Sequence, residues 1–299
     1  MAWTKRDRGF ALLLVLITLA TLSLVIAASI DASHRFGGEA SARIANLRLR
    51  AAAAGAFWTA ARDLAEAGAA APAMLTKPQS YVLDGVRLTV SARSETGKID
   101  INAASPEMIA SLLAQSGLSP EHAARLAAEI ADWRDKDDDT RKNGAETAEY
   151  LGAGRSYGPT NRDFESVSEL ALVLDGGVDL VTCLARDVTV FTHSADIDPE
   201  AASPLVLRAA KIAPGALGPS GFSIVGGRTV EIGSLTDVNV SAVDESTGRF
   251  FTEETTVRLT GSGTDPVWIV SRVSPGRDEA DAHTACKRLD KQLLGHARP

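Results

Sequence analysis

Residues 9–30 read GFALLLVLITLATLSLVIAASI. From Phe10 to Ile30 there is no Asp, Glu, Lys, Arg or His, and the polar members are only Thr18, Thr21, Ser23 and Ser29. About 21 helical residues at ~1.5 Å each span roughly 30 Å, the thickness of a bilayer's hydrocarbon core. The run therefore predicts a transmembrane helix over residues 10–30, and everything downstream has to be arranged around it. Lys5, Arg6 and Arg8 stand on its amino side. By the positive-inside rule that end stays in the cytoplasm and the chain after Asp31 lies outside.

Three ways of processing this segment are open. An ordinary secretory signal has an apolar region of about 7 to 15 residues, shorter than this run, although Val25-Ile26-Ala27 can satisfy a signal peptidase. An uncleaved anchor is the second. The third rests on Gly9-Phe10, placed between the basic leader and the apolar stretch. That arrangement resembles the type IV prepilin signal, which implies cleavage after Gly9, methylation of the new amino-terminal Phe10, and retention of the apolar helix as an assembly element.

Length and composition bound the remainder. A chain of 299 residues has room for a membrane segment and one or two exported domains. A net charge of −7 and a pI near 5.3 argue against a nucleic-acid surface. With only Cys183 and Cys286, neither a multi-disulfide scaffold nor a cysteine zinc cluster is available. In an oxidising compartment the two can pair, but nothing in the sequence brings them together.

From Asp31 to about Ala71 the spacing is helical. Ile44, Leu47, Ala51 and Ala54, continued by Trp58, Ala61, Leu64 and Ala65, predict the buried stripe, with a loosening at Gly37-Gly38 and an end at Pro72 and Pro78. Tyr81–Leu83 and Val86–Val90 flank Asp84-Gly85, a hairpin signal. Further strands are predicted at Phe222–Val225, Thr229–Ile232, Val238–Val243, Phe250–Leu259 and Val267–Val273. A long pilin-like helix packed on an antiparallel β-sheet gives an α+β fold.

Between the strand blocks lies a large α-helical insert. Ser105-Pro106-Glu107 and Ser119-Pro120-Glu121 each start a helix, and with Ser116-Gly117-Leu118 between them they make a helix-hairpin-helix, SAM-like module. Asp196-Ile197-Asp198 and Ala201-Ala202-Ser203-Pro204 echo Asp100-Ile101-Asn102 and Ala103-Ala104-Ser105-Pro106. The segmentation is thus a leader at 1–9, a transmembrane helix at 10–30, a first pilin-like part at 31–97, the insert at 98–213, a second pilin-like part at 214–275, and a polar tail at 276–299. The hairpin presents Pro120, Glu121 and His122 in place of a basic phosphate cradle, which disfavours DNA.

The densest constellation of charge is Asp132-Trp133-Arg134-Asp135-Lys136-Asp137-Asp138-Asp139, followed by Glu146. Asp135, Asp137 and Asp139 alternate, and Glu146 follows Asp135 by eleven residues, an echo of a calcium loop. Carboxylates this crowded repel without a cation, so Asp132, Asp135, Asp137, Asp138, Asp139 and Glu146 are the candidate ligands of a structural Ca²⁺. Thr140 replaces the expected Gly, so the loop is not an EF-hand; a solvated acidic loop is the alternative. No nucleophile elbow, zincin helix or phosphate loop is present, and the five histidines have no ligand spacing. Asp132 with Glu146 as a glycosidase pair is less plausible than metal binding in such a crowd of acids.

Taken together, Gly9-Phe10 and Asp-Trp-x-Asp-x-Asp, then Gly144-Ala145-Glu146, Tyr150, Tyr157, Asn161 and Ser168-Glu169-Leu170, resemble the K-type minor pseudopilins of the type II secretion system. The resemblance implies a bitopic protein of the inner membrane with a periplasmic domain, processed by the prepilin peptidase and without catalysis of its own. It implies a calcium-binding insert and a place at the pseudopilus tip with pseudopilins of the I, J and H types, where it starts assembly for export across the outer membrane. Most pilin-like subunits carry Glu at the fifth mature position; here that position is Leu14, an absence typical of the K type. The rival is a secreted or membrane-anchored periplasmic enzyme or binding protein with an ordinary signal sequence.

Overall fold

The computed structural model describes residues 5–66, 77–212, 233–260, 265, 267–274 and 278–294; within these, the side chains of residues 5–12, 27–40 and 278–281 are not described. Gly9 and Phe10 fall among those side chains, and the strands expected at 222–232 lie outside the described residues. The chain divides into two units, Met1–Ala51 and Ala52–Pro299.

Helix α1, Lys5–Glu66, has no helix break at Gly37-Gly38. In the first unit its side chains from Leu13 to Ile26 are exposed, Leu14 among them. Among the described residues no helix is long and apolar enough to cross a membrane; of the expected 10–30 span only the side chains of residues 13–26 are described.

In the second unit, strands β1 (Gln79–Leu83) and β2 (Val86–Ser94) form the expected hairpin, with Leu83 opposite Val86. Both turn residues, Asp84 and Gly85, have positive φ (50° and 75°), as a two-residue type I′ turn requires. After the insert, β5 (Leu235–Asp244), β6 (Phe250–Leu259) and β7 (Val267–Val273) complete an antiparallel sheet of order β1-β2-β5-β6-β7. Alternate residues Val86, Leu88, Val90 and Ala92 are buried on β2, the period-2 pattern of a sheet with one covered face. On the α1 side, the buried face is Ala53, Ala56, Phe57, Ala60, Ala61 and Leu64, with the Arg272 guanidinium of β7 5.2 Å from the Phe57 ring centre. This corrects the predicted stripe: Ile44, Leu47 and Trp58 are exposed. Alanines surround this helix on all sides, so the sequence offers little contrast between faces; the bulky Phe57 sets the one that packs.

The insert leaves the sheet through a 3-10 turn, Glu95–Gly97, and contains β3 (Ile99–Asp100), α2 (Pro106–Gln115), α3 (Pro120–Arg134), α4 (Thr147–Gly152), α5 (Gly177–Leu184), β4 (Val188–Thr189) and α6 (Pro204–Ala209), with β3 and β4 paired in parallel. The internal echo holds at the level of hydrogen bonds. The Asp100 carbonyl accepts from the amides of Ala103 and Ala104 (3.2 and 2.8 Å), and that of Asp198 accepts from Ala201 and Ala202 (3.2 and 3.0 Å). Ser105 and Ser203 then cap α2 and α6 through the amides of Met108 and Val206 (3.2 and 3.1 Å).

The segment read as a polar tail is a helix, α7 (Asp278–Leu294), whose Ala285, Cys286, Leu289 and Leu293 join the insert's hydrophobic core. Cys286 forms a disulfide with Cys183 of α5, settling the pairing that the sequence left open. Asp290 accepts from the amide and hydroxyl of Ser119 (2.9 and 3.0 Å), so α7 caps the start of α3. Polar residues outnumber apolar ones in this segment, yet a single buried stripe is enough to dock it.

Candidate metal centre in the helical insert

The acidic segment begins in the last turn of α3 and runs as a loop into α4. Its base is aromatic. The fully buried Trp133 stacks on Phe164 (centroids 6.0 Å, 21°) and lies 6.0 Å from the ring of Tyr150, which is 5.7 Å from Tyr157. The Tyr150 hydroxyl accepts from the Leu174 amide at 3.0 Å, and burial pushes its pKa up, so it stays a neutral phenol. Trp133's carbonyl accepts from the amide of Asn161 at 3.1 Å, bringing Asn161 to the loop.

Six carboxylates were candidates, and they have separate fates. Asp132 is fully buried and already satisfied: one oxygen accepts from the Arg141 guanidinium at 2.8 Å, the other from the amides of Arg141 (3.2 Å) and Ala145 (2.9 Å). The same guanidinium nitrogen contacts Asp135, whose other oxygen is buried with no hydrogen-bond donor. Asp137 accepts from the Asp139 amide at 3.1 Å, and Asp138 from the Asn161 side-chain amide at 2.9 Å. Asp139 is exposed.

Glu146 is the outlier. It is 3% exposed, and neither carboxylate oxygen has a hydrogen-bond donor. Burial first, then the negative charges of Asp132, Asp138, Asp137 and Glu149, push its pKa up to about 7. The side-chain oxygen of Asn161 is likewise buried without a donor. A buried acceptor left without a donor costs about 1–3 kcal/mol, more if charged, and four such oxygens on Asp135, Glu146 and Asn161 are what a missing cation would leave behind. All are hard oxygens, the donor chemistry of Ca²⁺. Among the described residues no group of three or more His, Cys, Asp or Glu converges as a ready-made cage, and Arg141 holds Asp132 and Asp135.

One residue escaped the sequence reading, and the part played by another was not legible in it. Arg141 is one of the few cations in the acidic run, and that was its only signal. Gly144 was quoted only as part of the Gly-Ala-Glu motif: a Cβ there would lie 1.9 Å from an Asp132 oxygen, so only glycine lets the loop close over that carboxylate.

Comparison with known proteins places this segment. The family model "Type II secretion system (T2SS), protein K" matches residues 87–193, which hold the whole acidic loop. A type II secretion system protein K from Klebsiella pneumoniae is 28% identical over 229 residues, covering 67% of this chain and 69% of that one. Another, from Pseudomonas aeruginosa, is 28% identical over 130 residues, 38% of this chain and 39% of its own length. The crystal structure of the GspK-GspI-GspJ complex from enterotoxigenic Escherichia coli contains a chain with the same fold (TM-score 0.52, 16% identity), matched over 77% of this chain and 96% of that one. Residues 87–193 thus carry a type II secretion system protein K domain, and the chain as a whole is similar to type II secretion system proteins K and shares its fold with a chain of the GspK-GspI-GspJ complex.

Proposed function

We propose that this chain is a minor pseudopilin standing at the tip of the type II secretion pseudopilus, where it starts assembly for protein export across the outer membrane. The observation that carries the reading is the head of α1. Ten large apolar side chains between Leu13 and Ile26 are 50–72% exposed on all sides of the helix, ahead of a K-family domain. A helix apolar all round is stable only when lipid or other helices cover it. In this reading the leader is removed by the prepilin peptidase after Gly9, Phe10 is methylated, and the helix stays in the inner membrane with the rest of the chain periplasmic.

Leu14 then explains the place in the fibre. A charged amine in apolar surroundings needs a partner carboxylate. A subunit with Leu14 cannot offer one to a neighbour, a handicap when joining beneath an existing subunit and none for the first. Pseudopilins of the I, J and H types are its partners in this account, and the insert, bulky above the sheet, is what stops further stacking.

Ca²⁺ is the proposed resident ion of the insert, drawing on Asp132, Asp135, Asp137, Asp138, Asp139 and Glu146. It supplies positive charge where Glu146 has none and performs no catalytic step. Asp137→Ala with Glu146→Ala should abolish its stabilising effect, read as the loss of the calcium-dependent rise in melting temperature.

Mass spectrometry of the mature amino terminus tests the processing: methylated Phe10 is expected, whereas Ala28 as first residue would mean an ordinary secreted protein. Labelled filaments test the position. One label at one end is expected, and regular labelling along the shaft contradicts the tip.

A further inference from the structure

Arg141 occupies ground that a cation would claim. One of its guanidinium nitrogens contacts both Asp132, at 2.8 Å, and Asp135, two of the carboxylates proposed for calcium. Its own backbone amide also donates to Asp132 at 3.2 Å. The two partners of this contact are unequal. The Asp132 side chain is 0% exposed and held by the amides of Arg141 and Ala145, whereas the Arg141 side chain is 42% exposed and attached by a flexible stem. The carboxylate is fixed and the guanidinium can leave. Burial first, then the charge of Arg141, disfavours the positive charge of the nearby Arg134 guanidinium.

The rest of the cluster tells why it would leave. Glu146 is 97% buried by its 3% exposure, both its oxygens are without a donor, and the second Asp135 oxygen has none either. Arg141 therefore satisfies one side of the acidic loop and leaves the other side bare. A single fork of N–H groups has fixed reach and one charge, whereas a divalent ion accepts six to eight oxygens from all directions.

We propose that Arg141 is a tethered stand-in for the metal: it neutralises Asp132 and Asp135 while the insert is calcium-free, and Ca²⁺ displaces it into solvent and takes over those carboxylates together with Glu146. The proposal rests on the calcium reading above and adds the competitor. Arg141 stabilises the calcium-free insert and weakens apparent calcium affinity, so the domain holds its fold before the ion arrives.

The test compares the full-length chain in detergent micelles with its Arg141→Gln and Arg141→Lys variants, by thermal unfolding in chelator and across a CaCl₂ titration. Removing a positive charge a few ångströms from the site should lower the half-saturating calcium concentration of Arg141→Gln by about tenfold or more. The same variant should melt lower than wild type in chelator and gain more from calcium, while Arg141→Lys, which keeps the charge, stays near wild type. An Arg141→Gln chain that folds only with calcium supports the proposal; one that folds in neither condition overturns it, since the arginine would then be needed in the metal-bound state. Equal or smaller calcium gains in Arg141→Gln than in wild type overturn it as well. A wild-type chain with no calcium response removes the calcium reading itself, an outcome distinct from equal responses in both.

Discussion

Among the described residues, acidic side chains crowd together at the junction of sheet and insert and again in the acidic loop, and these two places are treated differently. At the junction where the insert leaves the sheet, buried Lys98 meets the carboxylates of Glu95 (2.9 Å), Asp237 and Glu254 (3.5 Å), and Thr256 donates to Asp237 at 2.6 Å. In the acidic loop, Arg141 serves Asp132 and Asp135 and leaves Glu146 with nothing. Burial alone would lower the pKa of Lys98 and raise that of Asp237; their mutual attraction overrides it in both, so the lysine rises, the aspartate falls, and the pair stays ionised. Burial raises Glu95 to about 8 and Glu254 in the same direction. A junction with its cation built in is closed to exchange; a loop with an undersupply of positive charge is open to an ion from outside.

The largest effect should come from taking the built-in cation away. Lys98→Met leaves the ionised Asp237 in the interior without its cation, beside Glu95 and Glu254, and should cost about 3–5 kcal/mol, measured by denaturant unfolding, with no rescue by calcium. Rescue by calcium would erase the distinction between the two regions.

The pH dependence of the junction comes next. Glu95 binds a proton in the folded chain up to about pH 8 but in the unfolded chain only to its ordinary 4.5. The folded state therefore holds more protons in that window, and the stability it contributes declines as pH rises from about 4.5 to about 8. Glu95→Gln, a permanent mimic of the protonated form, should flatten that decline, a gain of up to about 3 kcal/mol at the alkaline end. Glu254, Asp237 and Lys98 face the same group, but of these only Glu254, also raised by burial, titrates in this window, and an unchanged slope would assign the decline to it.

Gly144→Ala should cost about 2 kcal/mol, because the new methyl drives Asp132 from its amide donors. It should also shrink the calcium gain, since the loop can no longer close. The smallest change is Glu146→Gln: in chelator above pH 7 it should be neutral or stabilising by about 1 kcal/mol, since a charge without a donor is gone. The calcium response should fall sharply with it.

Legibility in the sequence followed the range of the interactions. The Asp84-Gly85 hairpin and the Ser105 and Ser203 caps depend on residues within three positions of each other and were readable. Ser119 looked the same, yet its helix start is served by Asp290, 171 residues away. The α7 docking and the Cys183–Cys286 bridge are long-range in the same sense. The acidic loop was readable as a concentration of charge; which carboxylates are satisfied was not, because that depends on where Arg141 folds back and on the glycine that lets Asp132 close up.

The central claim is that the loop needs an external cation and the junction does not. Calorimetry of the full-length chain in detergent, with calcium and then with excess chelator, tests it most directly. The account expects a melting temperature several degrees higher with calcium, reversed by chelator and absent in Glu146→Ala. Superimposable scans in calcium and chelator would contradict it.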